Sequence, residues 1–192
     1  RRLRLLGLAL LPDHLRRLRV HHRHVDRSEL FVTTKTWRKF HGYDTTLANL
    51  ETSLKRLDMD YIDLWLIHWP GPAYSTMHRK KTVIEEHGIE HYFKDGHGWN
   101  EMPELRAETW RALEHALAQG KCKAIGVSNF TVAHLQELAK TAKVMPMVNQ
   151  VELHPYYTQT ELASYCREEG IVLQAYASLG GQDAGKGKWE TL

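Results

Sequence analysis

The chain has 192 residues, of which 42% are hydrophobic, and a formal net charge of +3. That is enough to bury a core within one domain of ordinary size, and no apolar run reaches the 18 residues that a membrane span needs. The two cysteines, Cys122 and Cys166, stand in unrelated segments and form neither a metal-ligand nor a redox motif, which points to a reduced, cytoplasmic setting.

Residues 1–27 hold eight arginines against Asp13 and Asp26, a local charge of +6 that leaves −3 on the remainder. A basic arm for nucleic acid, a targeting sequence, and sequence foreign to the fold are the competing readings. The absence of any aromatic residue to stack on bases argues against nucleic acid, and the segment lacks both an initiator Met and a serine-rich character. Foreign sequence carries the most weight, so residues 1–27 are expected to lie outside the fold and residues 28–192 to form it. His21, His22 and His24 crowd around Arg23, which repels a cation; a solvated basic turn is the better reading, and no metal site is expected.

From Glu29 onward strand and helix signals alternate. Phe31–Lys35 reads as a strand, and Asp44 is a candidate cap for a helix whose Leu47, Leu50, Leu54 and Leu57 recur at steps of three and four. Ile62–Ile67 is a near-continuous apolar run, the pattern of a parallel strand covered on both faces, and it stops at His68, Trp69 and Pro70. Residues 71–102 lack periodicity and form a loop far longer than the usual connection. Its histidines, His78, His87, His91 and His97, share no ligand spacing and read as exposed loop residues. Pro103 suits the first turn of a helix that can stop at Gly120. A strand to Ser128 and Asn129, a helix with Leu135 and Leu138, and a strand to Gln150 follow. Thr158 and Glu161 have capping-box spacing before a helix ending at Gly170, and a last strand reaches Tyr176. Five strands alternating with helices predict a parallel sheet with right-handed crossovers. Parallel folds place their chemistry at the carboxyl ends of the strands, so Lys35, His68, Ser128, Asn129, Gln150 and Tyr176 should converge.

The tail Gly180–Gly187 matches most of a phosphate-binding loop but has Gly187 where the magnesium-holding Ser or Thr belongs, and no G-x-G-x-x-G follows any strand. Nucleoside triphosphate binding and a doubly wound dinucleotide fold are therefore not expected.

Four segments, Leu30–Trp37, Tyr61–Pro70, Lys123–Phe130 and Val148–Pro155, resemble signatures of the aldo-keto reductases and occur in that family's order. The resemblance covers residues 28 to about 182. It implies part of a (β/α)8 TIM barrel, NADP(H) as cofactor, and reduction of a small-molecule aldehyde or ketone. It further implies that Lys35 and His68 are two members of a catalytic tetrad, and that Ser128, Asn129 and Gln150 hold the nicotinamide carboxamide. Tyr176 would stack on the nicotinamide ring, and Leu179 and Gly181 would follow the pyrophosphate. Each position also has a plainer reading, for Ser128 and Asn129 as helix caps and for Tyr176 as core. Trp37, Trp69 and Trp99 are candidates to line an apolar pocket or to serve as core.

The family's tetrad also needs a tyrosine and an aspartate upstream of the lysine. Residues 1–27 hold no tyrosine, and Asp13 and Asp26 lie in the wrong surroundings, so neither role is carried over. The expectation is a partial barrel of about five parallel strands, the third to seventh units, with impaired reductase activity. A non-catalytic protein that binds nicotinamide cofactor or a partner is the alternative. Substrate identity and oligomeric state are not legible in the sequence.

Overall fold

The computed structural model describes residues 4–7, 26–71 and 103–180. Among the described residues, six strands form one sheet in which every neighbouring pair is parallel and the spatial order is the chain order. They are β1 (Arg4–Gly7), β2 (Leu30–Thr36), β3 (Ile62–Ile67), β4 (Cys122–Ser128), β5 (Val148–Glu152) and β6 (Val172–Tyr176). Helices α1 (Tyr43–Leu57), α2 (Pro103–Ala118), α3 (Val132–Ala139) and α4 (Thr160–Glu168) alternate with them from β2 onward. A sheet of sequential parallel strands with a helix returning each crossover curls into part of a (β/α) barrel.

Five of the strands are those expected. The sixth, β1, lies in the arginine-rich segment, where its backbone pairs with Leu30–Thr33 of β2. Arg27, from the same segment, donates to the carbonyls of Leu30 and Tyr61 and bridges to Asp63 at 2.8 Å. The segment set apart by its charge therefore meets the sheet at both of its described ends.

Alternation along each strand decides which residues face the helices and which face the barrel interior. Val32, Trp65, Ile67, Ile125, Val127 and Val151 pack with Leu50 and Leu54 of α1, Trp110 and Leu113 of α2, Leu135 of α3 and Leu162 of α4. Lys35, His68, Ser128, Gln150 and Tyr176 have the opposite parity and stand at the carboxyl ends, on the inner side. The predicted leucine stripe of α1 is present, with Leu50 and Leu54 buried and Leu47 and Leu57 packed beside them. Gly126 brings β4 and β5 close: a β-carbon there would lie 2.4 Å from the Val148 carbonyl oxygen and 2.8 Å from a Leu66 methyl.

Two predicted caps are corrected. Helix α1 starts after Gly42, not at Asp44; Gly42 has φ +104°, which favours glycine, and its N–H is taken by the Thr109 hydroxyl at 2.9 Å. Helix α4 starts after Gln159, whose left-handed φ of 51° moves the helix one residue beyond the Thr158 spacing, so the Thr158 hydroxyl meets that of Thr160 instead. The stops at Gly120 and Gly170 stand as expected, with φ of +69° and +70°.

Candidate active site

At the carboxyl end of the sheet the predicted residues form one connected network. Ser128, the last residue of β4, is fully buried and donates from Oγ to the Gln150 carbonyl at 2.7 Å. Lys35 reaches across from β2, its Nζ 3.4 Å from Ser128 Oγ. Asn129 follows with a left-handed φ of 63°, a conformation that asparagine tolerates better than most residues. Its backbone N–H donates to the Gln150 carbonyl at 3.0 Å. Its side-chain Nδ2 donates to the His68 carbonyl at 2.9 Å and to Ser128 Oγ at 3.2 Å, while Oδ1 accepts from the Tyr176 hydroxyl at 2.7 Å. One side chain thus joins the ends of β3, β4 and β6. A strained backbone residue at such a junction is a common mark of a functional site.

His68 is half-buried. Its backbone N–H donates to Thr36 at 3.2 Å, and its ring meets the edge of Trp37 at a centroid distance of 4.8 Å. Burial lowers the imidazole pKa to about 4, with the nearby positive charges of Lys35 and Arg38 adding to the effect. At neutral pH the ring is therefore uncharged, with one N–H able to donate to an oxygen that gains negative charge. Burial likewise lowers the pKa of Lys35. Its Nζ stands 5.9 Å from the centre of the Tyr176 ring, across the inner space. Burial raises the Tyr176 pKa, with the Glu152 carboxylate reinforcing the shift, so the phenol stays protonated and donates.

The aldo/keto reductase family is matched over residues 4–188. The chain belongs to this family. Glyoxal reductase of Bacillus subtilis (strain 168) is 47% identical over 155 residues, which cover 81% of this chain and 45% of that protein. The 9,11-endoperoxide prostaglandin H2 reductase of Trypanosoma cruzi (strain CL Brener) is 42% identical over 162 residues, 84% of this chain and 46% of that protein. Among solved structures, an aldo/keto reductase from Brucella melitensis superposes with a TM-score of 0.65 at 37% identity, covering 81% of this chain and 50% of that one. An aldo-keto reductase of Bombyx mori in complex with NADP gives 0.63 at 35% identity, covering 80% and 43%. The chain spans about half the length of the curated relatives it matches.

Within this aldo-keto reductase fold the structure brings together six of the eight predicted site residues: Lys35, His68, Ser128, Asn129, Gln150 and Tyr176. Leu179 lies apart from them on an exposed turn closed by the Gly180 N–H donating to the Ala177 carbonyl at 2.8 Å; the side chain is 94% exposed. Gly181, Trp99 and loop residues 72–102 lie outside the described residues. Gln174 was not foreseen. It shares the inner face of β6 with Tyr176, and its Oε1 accepts from Gln150 Nε2 at 2.9 Å. A glutamine two residues before a site residue on a strand has the right parity, and that was the available signal. Arg38 and Arg106 were also missed, because their partners are backbone carbonyls of a turn that no sequence spacing marks.

Proposed function

We propose that the protein reduces small-molecule aldehydes or ketones to alcohols with NADPH. The observation that carries this reading is the Lys35, His68, Ser128, Asn129, Gln150 and Tyr176 network at one end of a parallel sheet in an aldo/keto reductase chain.

The donor set suits a nicotinamide. A carboxamide presents one oxygen acceptor and an amino donor; the Gln150 amide, with a second N–H on Nε2 and its Oε1, and the second lone pair of Asn129 Oδ1 supply both complements beside Ser128. The half-buried Tyr176 ring offers an aromatic face beside them. NADPH supplies the hydride when bound. Asn129 donates to the His68 carbonyl and so helps to hold the backbone that carries the imidazole; in this reading the substrate's carbonyl oxygen would lie within reach of that ring. Neutral His68 then donates its N–H to that oxygen as charge develops. In this reading Lys35 lowers the pKa of the proton donor. Leu179 and Gly181 are proposed to follow the pyrophosphate. A reduced, cytoplasmic location is part of the proposal, and the free, buried state of Cys122 and Cys166 suits it.

The proton-donating tyrosine and the aspartate partner of Lys35 are not assigned to any residue of this chain, whose first tyrosine is Tyr43. Loss of a general acid commonly lowers rate by about 10² to 10⁴. The 192-residue chain is therefore proposed to bind NADPH while turning over slowly. Fluorescence titration with NADPH, followed by NADPH oxidation with nitrobenzaldehyde, tests both parts. Saturable binding that weakens at least about tenfold in Tyr176→Ala is expected, since an aromatic contact is lost. No binding by the unmodified chain would sink the reading, whereas binding with no turnover at all would favour a non-catalytic cofactor-binding protein.

A further inference from the structure

The turn that carries His68 out of β3 is held at three backbone carbonyls by three side chains from different parts of the fold. Asn129, after β4, donates to the His68 carbonyl at 2.9 Å. Arg38, after β2, donates from Nε to the Gly71 carbonyl at 2.9 Å. Between them, Arg106 of α2 donates from Nη1 to the Pro70 carbonyl at 3.2 Å. Pro70 has no N–H to anchor the turn, and Pro70 and Gly71 are buried, so these carbonyls depend on protein donors.

Arg106 is an unusual donor to find there. The residue is only 2% exposed, and its Nε and Nη2 make a two-pronged bond to the Glu137 carboxylate of α3, both at 2.7 Å. Burying a guanidinium is costly even when it is paired, and well-packed apolar residues commonly serve stability as well or better. What the ion pair supplies that apolar residues do not is direction. A planar guanidinium locked along one edge by a carboxylate has its other N–H groups held in fixed directions, and here one of them, on Nη1, ends on the Pro70 carbonyl, two residues after His68.

We propose that Arg106 and Glu137 are positioning residues for His68: the pair sets the exit turn of β3 and thereby the depth of the imidazole in the site. The catalytic meaning of that position rests on the reductase reading above, but the position itself is measured without it. Among the described residues, the charges that depress the His68 pKa are those of Lys35 from β2 and Arg38 from the turn after it. Arg106→Lys keeps the charge of the pair, so a shift in that variant reports movement of the ring and not loss of a charge.

The test is an NMR titration of the His68 ring protons in the full chain, assigned by their disappearance in His68→Gln. The unmodified protein should titrate at about 4. In Arg106→Gln the ring should gain water and its pKa rise by about one unit or more toward the ordinary value. Arg106→Lys keeps the charge but not the fork, and should give a smaller rise. Glu137→Gln, at a position 29% exposed, is the gentler variant should Arg106→Gln fail to fold. A stabilising role alone would lower the melting temperature and leave His68 where it was. An unchanged His68 pKa in every variant that folds overturns the proposal, as does unfolding of all three variants, which would make the pair a stability device. Failure of the reductase reading is seen separately, as absence of NADPH binding by the unmodified protein.

Discussion

Strands β3 and β6 both lead into a site residue, His68 just after β3 and Tyr176 at the end of β6, yet the fold holds them very differently. All six residues of β3 are buried, paired on one side with β2 and on the other with β4, and the turn beyond is gripped by Asn129, Arg106 and Arg38. Among the described residues β6 pairs only with β5, Val172 is 61% exposed, and the Tyr176 hydroxyl donates to Asn129. The histidine end of the site is therefore built into the core, and the aromatic end rides on a strand that the core barely covers.

The largest effect should come from emptying the β3 core. Trp65 is fully buried, and Trp65→Ala should cost about 3–5 kcal/mol in urea unfolding. A cost below about 1 kcal/mol would mean that β3 is not the centre of the cooperative unit.

Next comes Asp63, which anchors the amino end of β3. Its carboxylate accepts from the Val32 N–H at 2.9 Å and meets Arg27 at 2.8 Å and Lys123 at 3.4 Å, while both cations lie over the Tyr61 ring. Burial pushes the Asp63 pKa up, but the Val32 hydrogen bond and the two cations outweigh it, so the net shift is downward from 3.8. A carboxylate with a lowered pKa in the folded state stabilises the fold above its unfolded pKa, and that contribution is lost as pH falls through the folded value. Asp63→Asn should cost about 2–3 kcal/mol at pH 7. The gap between the two proteins should close as pH drops below 3.8. A gap that stays constant with pH would show that charge is not what Asp63 contributes.

Smaller effects belong to β6. Tyr176→Phe keeps the ring and removes the bond to Asn129, leaving the amide oxygen without that donor; a loss of about 1 kcal/mol is expected, with NADPH binding largely kept. If binding is abolished, the hydroxyl and not the ring is the essential part. Val172→Ala, at an exposed position, should change stability by no more than about 0.5 kcal/mol. A cost near that of Trp65→Ala would erase the contrast between the strands.

One side of this contrast is legible in the residues. The near-continuous apolar run Ile62–Ile67, interrupted by Asp63, marks a strand covered on both faces, whereas the exposure of Val172 appears only in the structure. The turn beyond β3 is different. Arg38, Arg106 and Glu137 look like surface residues in the sequence, since arginine and glutamate are rarely buried. Their task comes from partners 31 to 36 positions away. The helix starts were misjudged for a related reason. Gly42 and Gln159 take positive φ, and at Gly42 the freed N–H is satisfied by Thr109, 67 positions on, a partner that local capping rules do not consider.

The sequence by itself carried five of the strands, the helices between them and the placing of Lys35, His68, Ser128, Gln150 and Tyr176 at the strands' carboxyl ends, while the barrel arrangement came with the family resemblance. Strands and helices are legible because two-residue and three-to-four-residue periodicities lie within a single segment, and their alternation is the sign of a parallel sheet. Only the tertiary structure decided that Asn129 joins three strand ends, that Arg27 and Arg4–Gly7 meet the sheet, and that Arg106 reaches the Pro70 carbonyl. Hydrogen bonds and ion pairs act over about 3 Å, and which groups come within that distance is settled by packing of the whole chain, not by spacing along it.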